Sequence, residues 1–235
     1  MNRFWHRVGH RGAPSSYPAN TLKSFAQAIE MGCTMVECDI RQSLDGVLVL
    51  AHDESVKDTQ GQEYVLAEWT AERLHALDLG AGQGVPTLEE LVHLVQGRCA
   101  LMADMKCEGG GVEEKVIEKL APLTVEAKLV PGAGVESRKR FQAIDPTLPL
   151  SLSLNLLEGK QLEQEDWLEW VVSLKVQAVT WQYPLLTSKR VQGLQDRGLK
   201  VFAWTVDDYE VMRQMRVLGV DGIISNRTEW LCELA

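Results

Sequence analysis

Polar residues that could bind a cation or move a proton lie in three short segments, each at the end of an apolar, strand-like stretch. The residues are His10 and Arg11, Glu37 and Asp39, and Asp104 and Lys106. Glu37 and Asp39 are two residues apart, so in a strand their side chains point to the same face. Ionised carboxylates are not buried without a partner. This pair therefore requires either a cation or a solvated face.

The three acidic residues together form a donor set for a hard cation. Glu37, Asp39 and Asp104 offer carboxylate oxygens, which suit Mg²⁺ or Ca²⁺ rather than zinc. Arg11 and Lys106 cannot ligate a metal, but they can hold a phosphate, arginine through its planar fork and lysine as a point charge. The segments thus predict a metal site next to an anion site.

Two histidines could supply acid–base chemistry. His10 follows the first strand-like stretch, and His52 follows "VLVLA". Imidazole titrates near neutral pH, as a general acid or a general base should. Trp204, at the end of "VFAW", is expected near the same place. Two histidines, two cationic side chains and a divalent cation fit the cleavage of a phosphodiester.

Each acidic segment has another explanation when it is taken alone. Glu37 and Asp39 could form a solvated strand face. Asp104 and Lys106 could form a surface ion pair, which contributes little to stability. The hypothesis of one site depends on all these residues lying at the same end of successive strands.

The elements that would position these residues are strand-like stretches that alternate with helical ones. The nine stretches are RVGHRG, MVECDI, VLVLAHD, ALMADMK, AKLVPGA, LPLSLSL, QAVTW, KVFAWTV and DGIISN. Helical segments such as "VQGLQDRG" end in glycine just before a strand, which predicts a parallel sheet covered by helices. Asn20 or Thr21 could cap the first helix. Thr87 and Glu90 have the spacing of a capping box.

Nine strands are one more than a closed barrel of eight requires, and the second connection explains the excess. Only six residues separate Ile40 from Val47, too few for the crossover that a parallel neighbour needs. Asp45-Gly46 is typical of a hairpin turn. The third stretch should therefore run antiparallel to the second, over the mouth of the barrel, and return His52 beside Glu37.

We predict an α/β fold, a (β/α)8 TIM barrel that forms a single domain over residues 1–235. The β-hairpin and a small insertion, at about residues 54–86, follow the second strand. One helix is expected in the insertion near "TAERLHAL". In such barrels the chemistry takes place at the carboxyl ends of the strands, where the three segments lie.

Composition limits the class of partner. The chain has 235 residues and a net charge of −9, which argues against nucleic acid or an anionic membrane as the main partner. No segment is long and apolar enough to span a bilayer. The first eight residues do not resemble a secretory signal, and the five cysteines form no CxxC pair. We expect a cytoplasmic protein that acts on a small molecule.

Several motifs, in this order, resemble the glycerophosphodiester phosphodiesterase family. The motifs are GHRGAP, NTLKSFAQAIEMG, ECD, DGVLVLAHDE, MADMK, PTLEEL, WTVDD and GVDGIISN, between Gly9 and about Asn226. The resemblance implies a (β/α)8 barrel that uses a divalent metal to hydrolyse glycerophosphodiesters to an alcohol and glycerol 3-phosphate. By position, His10 and His52 resemble the catalytic pair of the family. The metal ligands would be Glu37, Asp39 and Asp104, and the phosphate contacts Arg11 and Lys106.

The chain departs from the family pattern at three positions. Ala19 stands where a glutamate usually precedes Asn-Thr, and Asp104 replaces a longer glutamate. Asp207 stands where many members have asparagine. The first two departures predict weaker metal binding. None of the three removes a histidine, so we expect an active enzyme.

Two other functions fit the same residues. A lysophospholipase D would use this machinery on a longer lipid, and an exposed apolar patch beside the mouth would favour it. A catalytically inactive barrel could act as a binding protein, for which Ala19 and Asp104 are the support.

Overall fold

The structure is a computed structural model that describes residues 5–234. Eight parallel strands form a barrel within this range, as the sequence predicts. They are β1 (His6–His10), β2 (Met35–Gln42), β6 (Ala100–Met105), β7 (Lys128–Leu129), β8 (Ser151–Leu154), β9 (Ala178–Gln182), β10 (Lys200–Trp204) and β11 (Gly222–Ser225). In space their order is β7-β6-β2-β1-β11-β10-β9-β8.

Strands β7 and β8 stand at the two ends of this order, and hydrogen bonds between them make the ring nearly closed. The Val130 N–H donates to the Pro149 carbonyl, and the Ser151 N–H donates to the Val130 carbonyl, both over 2.9 Å. Closure pairs the backbone groups that an edge strand would leave open. The shape of the barrel is therefore held by backbone pairing around almost its whole circumference.

The remaining strands belong to the connection between β2 and β6. Strand β3 (Leu48–Leu50) pairs antiparallel with β2, with Ile40 opposite Leu50. The predicted hairpin is therefore confirmed. Strands β4 (Ser55–Lys57) and β5 (Glu63–Val65) form a separate two-stranded sheet, which the sequence analysis did not predict. Three-residue strands with largely exposed side chains are too short to show alternation.

Nine helices lie between residues 5 and 234. They are α1 (Leu22–Glu30), α2 (Ala71–His75), α3 (Leu88–Val95), α4 (Val112–Leu120), α5 (Val135–Ile144), α6 (Trp167–Ser173), α7 (Ser188–Asp196), α8 (Tyr209–Leu218) and α9 (Thr228–Glu233). Helix α2 is the helix predicted in the insertion. None of these helices has the length and apolar character needed to cross a membrane.

Both predicted caps are present. The Thr21 side chain accepts a hydrogen bond from the Ser24 N–H at the start of α1. At the start of α3, the Thr87 side chain accepts from the Glu90 N–H, and the Glu90 carboxylate accepts from the Thr87 N–H. These bonds satisfy backbone donors that the first helical turn cannot pair.

The core has an inner and an outer layer. Side chains inside the barrel include Val8, Met35, Met102, Phe202 and Ile224, all buried. A larger cluster fills the space between the strands and the helices. Because the inside of the barrel is packed with apolar side chains, it is a core rather than a pore.

Removal of the α3 cap tests how the chain begins this helix. We expect Thr87→Ala to lower the free energy of unfolding by about 1 kcal/mol, the usual contribution of an N-cap side chain. Thr70→Ala is the matched control, because Thr70 occupies the N-cap of α2 without making a side-chain cap hydrogen bond. Chemical denaturation of both variants measures the difference. An equal loss in the two would contradict a specific role for the capping box.

Candidate active site

Seven of the eight residues predicted for the site line one cavity at the carboxyl ends of the strands. They are His10, Arg11, Glu37, His52, Asp104, Lys106 and Trp204, around a volume of about 540 Å³. The eighth, Asp39, is fully buried beside them. Residues from five separate segments are thus brought to a single place.

Strand register brings the three carboxylates together. His10 of β1 is level with Glu37 of β2, and Asp39 of β2 is level with Asp104 of β6. One oxygen from each of Glu37, Asp39 and Asp104 lies within 4.8 Å of the others. The shorter Asp104 therefore still reaches the cluster.

Two cationic side chains offset part of this buried negative charge. The Arg11 Nε lies 2.9 Å from Asp39 Oδ2. The Lys106 Nζ lies 2.6 Å from Asp104 Oδ2 and 3.3 Å from Asp39 Oδ1. The residues predicted to hold a phosphate thus form ion pairs with the predicted metal ligands. Three carboxylates facing two cations leave one negative charge without a counter-charge.

The pKa values reflect that imbalance. Burial, followed by the neighbouring charges of Asp39 and Asp104, raises the pKa of Glu37 well above its ordinary value. Burial also raises the pKa of Asp104, although Lys106 opposes the shift. For Lys106 burial acts to lower the pKa, but the carboxylates outweigh it and the pKa rises. These directions are what burial produces for the carboxyl groups and what nearby carboxylates produce for the lysine.

The donor set fits a divalent cation. Asp39 Oδ1 and Asp104 Oδ1 are buried and accept no hydrogen bond from the residues described. Buried carboxylate oxygens without donors are costly, and oxygen-only sites are those that Mg²⁺ and Ca²⁺ prefer. Glu37, Asp39 and Asp104 are therefore the residues that could hold such an ion.

The loop after β1 is held in an uncommon backbone conformation. Arg11 has a φ of 58°, and its N–H lies 2.9 Å from the Glu37 carbonyl and 3.0 Å from Glu37 Oε2. A Cβ on Gly12 would lie 2.5 Å from the Ser24 carbonyl carbon. Only glycine can follow Arg11 here, because α1 passes so close. The "HRG" sequence thus fixes the position of Arg11 against Glu37.

Asn20 supports the cluster in a way that the sequence analysis missed. Its side-chain amide donates to Asp39 Oδ2 over 2.8 Å, and its Oδ1 accepts from the Asp39 N–H over 3.2 Å. Thr21 is the cap of α1, which leaves Asn20 free for this contact. Ala19, the first of the departures described above, is exposed.

Gly132, in the loop after β7, lies directly against Asp104. Its φ is 76°, and a Cβ there would overlap Asp104 Oδ1 and approach the Met105 carbonyl oxygen to 2.7 Å. A side chain at position 132 would therefore displace the Asp104 carboxylate.

Hydrogen bonds from the end of β11 orient His10. Its Nδ1 lies 2.7 Å from Asn226 Oδ1, and the Asn226 side-chain amide donates to Asp207 Oδ2 over 2.7 Å. The Asp207 carboxylate only accepts hydrogen bonds, so it turns the NH₂ of Asn226 toward itself and the oxygen toward His10. His10 must then carry its proton on Nδ1. Its Nε2, 3.9 Å from Glu37 Oε2, keeps a free lone pair.

Burial and the charge of Arg11 lower the pKa of His10 to about 4, so the ring is neutral at pH 7. Sequence reasoning did not identify Asn226 as a site residue, although it directly follows the last barrel strand. Asp207 was noted only as a departure from the family pattern. The position of Asn226 at a strand end was the available signal.

His52 has a more open environment. The Ala51 N–H donates to the Asp39 carbonyl over 3.1 Å, which holds the end of the hairpin beside β2. The His52 side chain is 43% exposed, and its Nδ1 lies 2.8 Å from Asp53 Oδ1. One predicted histidine is thus largely shielded from solvent and bonded to an amide, whereas the other is exposed and bonded to a carboxylate.

Trp204 presents its ring to the cavity. Its indole N–H donates to the Thr180 carbonyl over 2.7 Å, so the polar atom of the side chain already has a partner. Trp204 thus lines the cavity as expected, with only its apolar faces and edge left without a hydrogen-bond partner.

The sequence is similar to those of glycerophosphodiester phosphodiesterases. The model of the glycerophosphoryl diester phosphodiesterase family matches residues 10–230. A glycerophosphodiester phosphodiesterase of Caldanaerobacter subterraneus subsp. tengcongensis is 30% identical, over 97% of this chain and 96% of that protein.

Solved structures share the fold. The glycerophosphodiester phosphodiesterase of Thermotoga maritima superposes with a TM-score of 0.84 at 24% identity, with both chains fully covered. A phosphodiesterase of Oleispira antarctica, solved with its product sn-glycerol-3-phosphate, has a TM-score of 0.85 at 21% identity, covering 98% of this chain and 96% of that one.

The bonds from Asp207 and Asn226 predict the tautomer of His10. At pH 7.5, ¹⁵N NMR of histidine-labelled protein should show His10 protonated on Nδ1, with the resonance assigned by its loss in His10→Gln. In Asp207→Ala the Asn226 amide is free to rotate, so we expect a mixture of the two tautomers. Asp208→Ala is the control, because Asp208 caps α8 and does not contact Asn226. An unchanged tautomer in Asp207→Ala would show that Asp207 does not orient the amide.

Proposed function

Because the chain belongs to the glycerophosphoryl diester phosphodiesterase family, we propose that it hydrolyses glycerophosphodiesters to an alcohol and glycerol 3-phosphate. One observation carries this proposal: the carboxylate cluster, the two cations and the two histidines meet in a single cavity. A phosphodiester offers an anion for the cations and two alcohol oxygens on which acid–base chemistry can act. The cavity supplies two cationic side chains for the anion and two histidines for the alcohol oxygens.

The three carboxylates would hold Mg²⁺ or Ca²⁺. Glu37, Asp39 and Asp104 provide oxygen ligands, and the uncompensated negative charge among them favours a dication. An ion held there would supply Lewis-acid polarisation of a phosphoryl oxygen. Asn20 and Gly132 keep the ligands in position, Asn20 through its bonds to Asp39 and Gly132 by leaving room for Asp104.

Arg11 and Lys106 would bind the phosphoryl group from the cavity. Their charges offset the negative charge that grows on the phosphoryl oxygens in the transition state. Both are pre-positioned, Arg11 by the bonds of its backbone N–H to Glu37 and Lys106 by its bond to Asp104. The ring of Trp204 would contact the apolar part of the substrate.

The two histidines would exchange roles between two steps. His10 accepts the proton of the glycerol 2-hydroxyl on Nε2 while that oxygen attacks phosphorus. The bond from phosphorus to the alcohol breaks, and His52 gives its proton to the departing oxygen. A cyclic phosphate and the free alcohol result.

In the second step His52 takes a proton from water, whose oxygen attacks phosphorus. The bond from phosphorus to the glycerol 2-oxygen breaks, and His10 returns its proton to that oxygen. The product is glycerol 3-phosphate. The free lone pair on Nε2 supports His10 as the first base, because Asn226 and Asp207 hold the proton on Nδ1.

One observation favours a second candidate, a lysophospholipase D. Val135 lines the cavity and is 59% exposed. Leu156 and Leu157 are also exposed and directly follow Asn155, another lining residue. Exposed apolar side chains beside a site suit an acyl chain. Assays with a glycerophosphodiester and with its acylated counterpart decide between the two: faster cleavage of the acylated substrate would make the lipid the substrate.

Both histidines should be essential. We expect His10→Ala and His52→Ala each to lower kcat by at least about 100-fold, the usual effect of removing a positioned acid or base. His93→Ala, an exposed position on α3, is the control and should retain full activity. The measurement is glycerol 3-phosphate release by purified variants whose melting temperatures match that of the wild type. Near-normal turnover in either folded variant would remove that histidine from the mechanism.

Metal dependence follows from the carboxylate cluster. Exhaustive chelation should abolish activity, and Mg²⁺ or Ca²⁺ should restore it. Asp104→Asn removes one anionic ligand, so it should need at least about tenfold more metal for half-maximal activity, equivalent to about 1.4 kcal/mol. Glu113→Gln is the control, since Glu113 is also a carboxylate with little exposed surface but lies outside the cluster.

Calorimetric titration of the metal-free proteins with each cation compares their metal affinities without depending on catalysis. Activity that survives full chelation would exclude the metal. Absence of cleavage of any glycerophosphodiester by the wild type at saturating metal would favour a binding protein on the same barrel.

A further inference from the structure

An arginine outside the predicted site points into the same cavity. Arg138 lies on α5, the helix that follows β7, and is only 7% exposed. It lines the cavity together with His10 and Lys106. The cluster of carboxylates comes from β2 and β6, so Arg138 occupies the next sector of the barrel mouth.

Arg138 forms no ion pair within the described part of the chain. Its side chain forms no hydrogen bond and no ion pair with any residue between 5 and 234. Arg11 and Lys106, the other cations of the cavity, are both paired with carboxylates. Burial lowers the pKa of Arg138, and the exposed Glu108 only partly opposes that shift. The guanidinium nevertheless stays charged near neutral pH.

Acidic residues of the cavity and of neighbouring segments have other partners. Glu158, which lines the cavity, accepts a hydrogen bond from the Asn155 N–H. Glu113 on α4 accepts a hydrogen bond from the Gly109 N–H and lies 3.7 Å from the Arg140 Nε. Glu108 accepts a hydrogen bond from the Gly134 N–H. A protein with 33 acidic residues and 24 basic ones thus leaves a buried arginine unpaired. A buried charge without a partner is costly, and a ligand from the cavity would supply one.

The rest of this sector is suited to a polar group. The loop after β8 contributes Asn155, Glu158 and Gln161, and α6 contributes Trp170. Glycerol is neutral, so any anion that reaches Arg138, other than the reacting phosphate, must belong to the alcohol on the other side of the diester.

We propose that Arg138 binds an anionic group on the departing alcohol, so that this enzyme prefers glycerophosphodiesters whose headgroup carries a carboxylate or a phosphate. This inference rests on the proposed function. Glycerophosphoserine and glycerophosphoethanolamine test it, because the two substrates differ only by a carboxylate. A charge-assisted hydrogen bond in a buried site discriminates by about tenfold or more, which corresponds to about 1.4 kcal/mol.

The experiment compares kcat/KM for the two substrates in four proteins. Wild type should prefer glycerophosphoserine by about tenfold or more. Arg138→Met should lose that preference, mainly through a higher KM for glycerophosphoserine, with glycerophosphoethanolamine hydrolysed within about twofold of the wild-type rate. Arg138→Lys keeps the charge and should retain part of the preference. Arg140→Met, on the same helix but paired with Glu114, is the control and should behave as wild type.

Two results would overturn the proposal. The absence of a preference in the wild type would show that no headgroup anion is recognised. An equal loss for both substrates in Arg138→Met would mean that Arg138 contacts the phosphate or only supports the fold. If the wild type cleaves neither substrate, the proposed function fails instead. Calorimetric titration with the two compounds then tests anion binding at Arg138 independently of catalysis. Wild type should bind glycerophosphoserine more tightly, and this difference should disappear in Arg138→Met.

Discussion

Three carboxylates buried at one end of the barrel set the charge balance that the rest of the site must satisfy. Asp39 is fully buried and Glu37 nearly so, and Asp104 faces both. Arg11 and Lys106 neutralise two of the three charges. Burial, together with the neighbouring carboxylates, raises the pKa of Glu37, and the remaining negative charge fits a divalent cation. The cations, the amide of Asn20 and the glycine at position 132 are all explained by this single requirement.

The pairing of the barrel strands brings these charged residues together. Because neighbouring parallel strands are in register, Asp39 lies level with Asp104, and His10 lies level with Glu37. The hairpin after β2 returns the chain at Ala51, whose N–H bonds the Asp39 carbonyl, so His52 reaches the same cavity. The carboxylate cluster depends on strand register, since a shift of one strand by one residue would turn its carboxylate away from the cluster.

Much of the fold could be predicted from local patterns. The nine strand stretches, the hairpin and the helix of the insertion are confirmed, because each depends on apolar periodicity or on a turn sequence. The capping box at Thr87 is also confirmed. The small sheet of β4 and β5 was missed, since three-residue strands have no period to detect. Asn20 was considered as a helix cap, but its side chain binds Asp39, a contact that depends on how α1 meets β2.

The sequence by itself determined which chemical groups stand at the ends of the strands, and the family motifs determined which of them belong together. Only the tertiary structure decided how those groups are paired. Asp207 orients His10 through Asn226 across two strand ends, and Arg138 enters the cavity from a helix without an ion pair to any described residue. Local patterns encode the direction of a side chain relative to its own element. Contacts between elements depend on strand register and barrel closure, which bring together residues far apart in the chain.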